Sequence, residues 1–94
     1  MSSSEETSQQ ALKLHRSGDL EAAEALYLQL LNTDPKNENT LHLLSILYGQ
    51  QNKLLDAQQY IKEALTLAPS SPTLHNTFAN IERRMGNMDA AILH

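Results

Sequence analysis

The sequence predicts an all-α fold, a solenoid of antiparallel helix pairs, and three observations lead to this expectation. The chain repeats with a fixed period, since the spacing from Pro35 to Pro69 is also the spacing from Ala23 to Ala57. No segment shows the alternation of apolar and polar residues that is typical of a half-buried strand. Valine, which favours strands, is absent. Helix pairs of this kind bury their apolar faces by stacking on their neighbours.

Turn and cap residues divide the chain into helices. The period aligns Gly18 with Asn52 and Gly86, and Gly and Asn tolerate the left-handed conformation that ends many helices. Residues suited to cap helix N-termini stand before the expected helices, namely Ser3, Asp19, Asn37 and Ser71. We expect helices at about 4–17, 20–33, 38–51, 54–67, 72–85 and 88–94. They form one domain over 1–94, with repeats at about 4–37, 38–71 and a truncated 72–94.

The stretch from Leu41 to Pro69 carries a more specific pattern. It reads Leu41-x2-Leu44-Ser45-x2-Tyr48, then Ala57-x3-Ile61, then Pro69. This spacing resembles the tetratricopeptide repeat, a helix–turn–helix unit with the pattern W-x2-L-G-x2-Y, A-x3-F and P. The departures keep a small or apolar residue at each place. The resemblance implies a right-handed superhelix that acts as a protein–protein interaction module or scaffold and not as an enzyme.

In the tetratricopeptide family, the first helices of successive pairs line a concave groove that binds peptides or protein segments. The resemblance implies the same groove here, lined at helical spacing by Ser8, Leu12, His15, Arg16, His42, Ile46, Gln50, Asn76, Asn80, Arg83 and Arg84. The two asparagines lie one turn apart and can hydrogen-bond an extended backbone. The arginines suit a carboxylate-bearing, acidic partner. Alternatively, the asparagines are solvated surface residues and Arg83 and Arg84 pair with Glu82 or Asp89.

Composition excludes several other functions. The net charge of −4 disfavours nucleic-acid binding, and the absence of cysteine removes thiolate metal sites and cysteine nucleophiles. Four histidines lack metal-ligand spacing, so we expect neither a metal nor a cofactor. No apolar run is long enough to insert into a membrane. The polar, acidic N-terminus is unlike a signal peptide, which makes a cytoplasmic setting the expectation.

Two alternatives stay open. Similar arrays precede glycosyltransferase or sulfotransferase domains, and the chain ends within an expected helix, so it is also interpreted as an N-terminal piece of a larger enzyme. The other alternative is a self-associating scaffold. We expect the short last helix to leave Leu74, Phe78 and Ile81 partly uncovered, so that a homodimer forms through the C-terminal repeat.

Overall fold

Five helices follow one another in the computed structural model, which describes the backbone of residues 4–93 and the side chains of residues 5–86. They are α1 (Ser4–Ser17), α2 (Leu20–Thr33), α3 (Glu38–Gln50), α4 (Leu54–Leu67) and α5 (Pro72–Leu93). Each helix packs on the next one along the chain, and the stack measures 53 × 30 × 19 Å. Residues 4–93 contain no strand. The prediction of an all-α helical-repeat solenoid is confirmed.

Turns and caps form at the places that the sequence predicts. Gly18 and Asn52 adopt positive φ angles of 92° and 63°. Gly18 directly follows α1, and Asn52 lies in the turn after α3. The side chains of Asp19, Asn37 and Ser71 accept hydrogen bonds from the backbone N–H three residues on, at 3.4, 3.1 and 3.3 Å. These bonds satisfy amide groups that have no partner within the helix. The predicted cap Ser3 lies outside the described residues.

Small residues allow the paired helices to approach closely. Ala23 and Ala57 are completely buried, and so are Ala11 and Ser45 on the facing helices α1 and α3. Larger side chains fill the space around them, among them Tyr27, Leu30, Leu41, Leu44, Leu47, Ile61, Leu74 and Ile81. The sequence predicts a third contact of this kind at Ala79 and Ala91. Ala79 is exposed instead, and the side chain of Ala91 lies outside the described residues.

The third repeat differs from the prediction of two helices at 72–85 and 88–94. The helix α5 continues without a break from Pro72 to Leu93. Gly86 does not adopt the positive φ angle that Gly18 and Asn52 adopt at the equivalent places. A side chain built at Gly86 would meet nothing within 4 Å. A side chain built at Gly18 likewise meets nothing within 4 Å, so the space around the residue does not decide between a turn and a continuous helix.

The apolar face at the start of α5 is covered, contrary to expectation. Leu74 and Ile81 are each only 4% exposed, and Phe78 packs partly buried against the core. The expectation that this face stays partly in water was wrong for Leu74 and Ile81, whereas Phe78 keeps some exposure. The cover comes from the preceding helices, since α5 packs on α4 and, less extensively, on α3.

A pair of equivalent hydrogen bonds shows how successive helix pairs are joined. The Tyr48 hydroxyl donates to the Glu24 carboxylate at 2.6 Å, and the Gln58 amide donates to the Glu82 carboxylate at 2.8 Å. A shift by one repeat period places Glu24 on Gln58 and Tyr48 on Glu82, which converts the first bond into the second. Both bonds link the second helix of one pair to the first helix of the next. The repeat is therefore present in the side-chain contacts as well as in the backbone.

Candidate functional site

A cleft of about 300 Å3 lies between α3 and α5. It is lined by Ser45, Ile46, Gly49, Gln50, Thr77, Asn80, Ile81 and Arg84. Four of the predicted groove residues therefore meet here, two from each helix. The apolar side chains of Ile46 and Ile81 stand beside polar amide and guanidinium groups. This combination of apolar surface and a few converging polar groups is typical of binding sites. We call this space the α3/α5 cleft.

Arg84 carries the positive charge of the cleft. Its guanidinium donates to Asn52 Oδ1 at 3.4 Å, and its Nη1 lies 3.3 Å from the place where a Cβ of residue 49 would stand. Gly49 is buried within α3, so its missing side chain is what allows the guanidinium to lie across that helix. Arg84 is exposed, and a guanidinium has five N–H donors. Within the described residues the Asn52 bond uses one, which leaves others for a ligand.

The preceding interface, between α1 and α3, is filled differently. His15 Nε2 lies 2.5 Å from Gln50 Oε1, and His15 Nδ1 lies 3.0 Å from the Tyr27 hydroxyl. The imidazole and the Tyr27 ring also meet edge to face, with centroids 5.8 Å apart. A shift by one repeat period converts the pair His15 and Gln50 into Gly49 and Arg84. A histidine thus occupies the first interface where a glycine leaves the second one open.

His42 ties α3 to α5 at the other end of the cleft. Its Nε2 lies 2.8 Å from the Thr77 hydroxyl oxygen. Burial lowers the pKa of His42, which favours the neutral ring at neutral pH. A smaller space of about 230 Å3 adjoins this bond and is lined by Glu38, Asn39, His42, Ser71, Thr73 and Leu74. His42 therefore acts as a contact between helices at one boundary of the α3/α5 cleft.

The other predicted groove residues do not line the α3/α5 cleft. Ser8 and Leu12 lie half-buried on α1, while Arg16 and Asn76 are exposed. Arg83 is exposed too, and its guanidinium donates to Asn80 Oδ1 at 2.7 Å. Arg83 thereby bonds an asparagine that does line the cleft. Part of the stripe predicted along three helices thus lines one cleft between two of them, and the rest lies outside that cleft.

Sequence reasoning missed Ser45, Gly49, Thr77 and Ile81 as lining residues. It assumed that each first helix presents the same repeat positions to the ligand. A cleft between neighbouring helices is lined by different faces of the two, since α3 and α5 turn toward each other. A signal was nevertheless present, because Gly49 replaces the residue that is His15 in the first repeat. Loss of a large side chain at a repeated position indicates an opening between helices.

A larger hollow of about 540 Å3 lies on α1 alone. It is lined by Glu6, Gln9, Gln10, Lys13, Leu14 and Ser17. All six come from one helix, so no second element converges on a ligand there. The α3/α5 cleft is the better candidate because it is built from two helices and holds a positioned cation.

Tyrosines pack on α2, α3 and α4, away from the cleft. The rings of Tyr48 and Tyr60 are stacked with centroids 5.5 Å apart, and the Lys53 ammonium lies 5.9 Å from the Tyr48 centroid. Burial raises the pKa of both phenols; the bond to Glu24 raises that of Tyr48 further, and the carboxylates of Glu63 and Asp56 raise that of Tyr60. Burial also raises the pKa of Tyr27, partly offset by the nearby charge of Arg16.

These raised pKa values predict a loss of stability in alkali. An unfolded tyrosine loses its proton near pH 10, whereas the folded protein keeps the protons of Tyr27, Tyr48 and Tyr60. Their contribution is therefore complete below about pH 10 and falls as the pH rises above it. We expect a lower melting temperature at pH 11 than at pH 9. The drop should be smaller in Tyr48→Phe, and an equal drop in that variant would contradict the role of this phenol.

The described residues offer neither a cluster of metal ligands nor a helix that could span a membrane. No three His, Asp or Glu side chains among them come together in a way that could hold a metal ion. No helix among them has the length and apolar character needed to cross a membrane.

One segment of the chain matches a known family. Residues 39–71 match the tetratricopeptide repeat, and this segment spans α3, α4 and the turn that leads to α5. The comparison with curated proteins gave no match. The matched segment contains the α3 wall of the cleft, including Gly49 and Gln50, while the α5 wall with Asn80 and Arg84 lies beyond it.

Proposed function

We propose that the chain, in which residues 39–71 match the tetratricopeptide repeat, is a protein–protein interaction module that binds an acidic peptide or protein segment in the α3/α5 cleft. The observation that carries the proposal is the exposed Arg84 guanidinium, which lies across Gly49 inside that cleft. A positioned guanidinium pairs well with a carboxylate because its planar donors match the two oxygens.

The surroundings of Arg84 support an extended acidic segment over a single ion. The side chains of Gln50 and Asn80 are exposed at the cleft, and amides can bond the backbone groups of an extended chain. Ile46 and Ile81 offer apolar surface beside them. The protein has a net charge of −4, so a positive cleft would direct an acidic partner to this place.

Paired peptides test the proposal. In the acidic probe, a capped peptide, Glu and Leu alternate, so that an extended chain presents carboxylates on one side and leucines on the other. The neutral probe has Gln in place of Glu. We expect calorimetry to show that the wild-type protein binds the acidic probe more tightly than the neutral one.

Two substitutions together should weaken that binding. Arg84→Ala combined with Asn80→Ala removes a charged and a neutral donor, and a hydrogen bond to a charged group contributes about 1.5–3 kcal/mol. We expect at least roughly a tenfold loss of affinity for the acidic probe, with an almost unchanged melting curve because both residues are exposed.

Exposed residues of α4 provide the control. Lys62→Ala with Gln59→Ala removes one cation and one amide from a helix that does not line the cleft, and this variant should bind the probe as the wild type does. The assignment of the cleft fails if the Arg84 and Asn80 variant also keeps its affinity. The proposal of peptide binding fails if the wild type binds neither probe.

We also propose that this chain serves binding rather than catalysis, in a cytoplasmic setting. The support is that His42 and His15 bond neighbouring side chains, which gives both rings a structural role. The alternative is that the chain is a piece of a glycosyltransferase or sulfotransferase, in which case the cleft belongs to a larger protein. The intact mass of the protein made in its natural cell decides between a binding module and a piece of a larger enzyme.

A homodimer through the C-terminal repeat remains a further proposal. Phe78 is the partly exposed apolar residue of the face that begins α5, since Leu74 and Ile81 are buried. We expect light scattering at high protein concentration to give a mass above that of the monomer, and Phe78→Glu to return it to the monomer value. A monomeric mass for the wild type at every concentration would exclude the dimer.

A further inference from the structure

We propose that His15 and Tyr27 are positioning residues that orient the Gln50 amide, so that its NH2 group meets an acceptor oxygen of the bound segment. The inference rests on the proposed function of the α3/α5 cleft. It extends the recognition machinery to two residues that do not line the cleft.

Hydrogen-bond chemistry fixes the direction of the chain Tyr27–His15–Gln50. Gln50 Oε1 is 2.5 Å from His15 Nε2, and a carbonyl oxygen can only accept. In a neutral imidazole this bond requires the proton to be on Nε2. Its Nδ1 then has a lone pair, and the Tyr27 hydroxyl donates to it over 3.0 Å. Tyr27 is completely buried, so the start of this chain is held firmly by the core.

The planar amide of Gln50 transmits this orientation to the cleft. Helix α3 contacts α1 through Gln50 and α5 through His42. With Oε1 bonded to His15, the NH2 group on the same amide carbon is not used by that bond and can meet another acceptor. Gln50 also lines the α3/α5 cleft, so its NH2 group and the Arg84 guanidinium supply donors to the same space. Donors held in advance lose less entropy when a ligand binds.

The α1/α3 interface orients the Gln50 amide, and the α3/α5 interface forms the cleft that binds the segment. His15 fills its interface and holds an amide, whereas Gly49 at the equivalent place leaves room for Arg84 and for a ligand. The bond from His15 joins α1 to α3, and it does so at Gln50, a residue that also lines the open cleft. Gln50 belongs to both interfaces, and this is why the network can influence binding.

Four variants separate orientation from simple stability. Gln50→Glu keeps an acceptor for His15 but replaces the NH2 donors with a carboxylate oxygen, so we expect at least a tenfold loss for the acidic probe and a smaller loss for the neutral probe. Tyr27→Phe removes only the hydroxyl that donates to Nδ1 and thereby favours the Nε2–H tautomer, and we expect roughly a threefold loss. His15→Gln retains a donor for Gln50 and should bind more tightly than His15→Ala.

Nitrogen NMR of the imidazole gives a readout that does not depend on binding. We expect the Nε2–H tautomer of His15 in the wild type at pH 8, and a mixture of tautomers in Tyr27→Phe. Melting curves confirm that each variant is folded. The inference is overturned by an Nδ1–H tautomer in the wild type, or by unchanged affinity for the acidic probe in Gln50→Glu and Tyr27→Phe. The second result leaves the proposed function intact, whereas failure of the wild type to bind either probe refutes that function itself.

Discussion

Leu44→Ala is expected to lower the free energy of unfolding by about 2–5 kcal/mol. Leu44 is completely buried in α3, within a core to which all five helices contribute. Truncation removes apolar contacts and leaves a cavity that rigid neighbouring helices cannot close fully. A domain of this size has only a few kcal/mol of net stability to lose. Urea denaturation followed by circular dichroism should therefore show a partly or fully unfolded variant.

Leu55 offers a matched control for this substitution. It lies in the neighbouring helix α4 and is 74% exposed, so Leu55→Ala removes the same atoms from a site that already faces water. We expect a change within about 0.5 kcal/mol, as for most surface substitutions. Comparable losses in the two variants would show that Leu44 is not in the core, and the stacking order of the helices would then need revision.

Gly49→His is expected to abolish most of the binding at the α3/α5 cleft. It places the residue that closes the α1/α3 interface at the equivalent position of the next one. Even the first side-chain carbon at this place would stand 3.3 Å from Arg84 Nη1, so an imidazole must displace the guanidinium. We expect the affinity for the acidic probe to fall by at least tenfold, measured by calorimetry, because the cation moves and the space is filled.

The fold should survive this change. Gly49 lies inside α3, where glycine is unfavourable by about 1 kcal/mol relative to alanine and most other residues cost less. The atom in its way belongs to the end of a flexible side chain. Gly86→His is the control, since a side chain there meets nothing within 4 Å and should leave binding unchanged. If Gly49→His binds the probe as tightly as the control does, the ligand does not use this cleft.

The two predictions address different properties of the same stack. Leu44 reports how firmly the helices are held together, and Gly49 reports whether the space between two of them is used. If Gly49→His loses binding while the protein stays folded, the loss of affinity comes from the cleft and not from unfolding. The combination of Leu55→Ala and Gly86→His ensures that neither a leucine truncation nor a new histidine is responsible by itself.

The sequence by itself determined the helix pairs and their limits. The repeat period, the turn residues Gly18 and Asn52 and the caps Asp19 and Asn37 predicted the first four helices to within a residue at each end. These features act locally, through backbone conformations that few residues tolerate and through side-chain bonds three residues away. Local rules of this kind can be read from the order of residues before any packing is known.

Only the tertiary structure decided what happens where the repeats meet. Gly86 is a glycine like Gly18 and its surroundings are equally open, yet α5 continues through it as a helix. Likewise, the position of the cleft depends on the contrast between His15 and Gly49, which lie in different interfaces. Whether a side chain closes a space or leaves it open depends on the residue opposite it, and that residue lies 35 positions away on another helix.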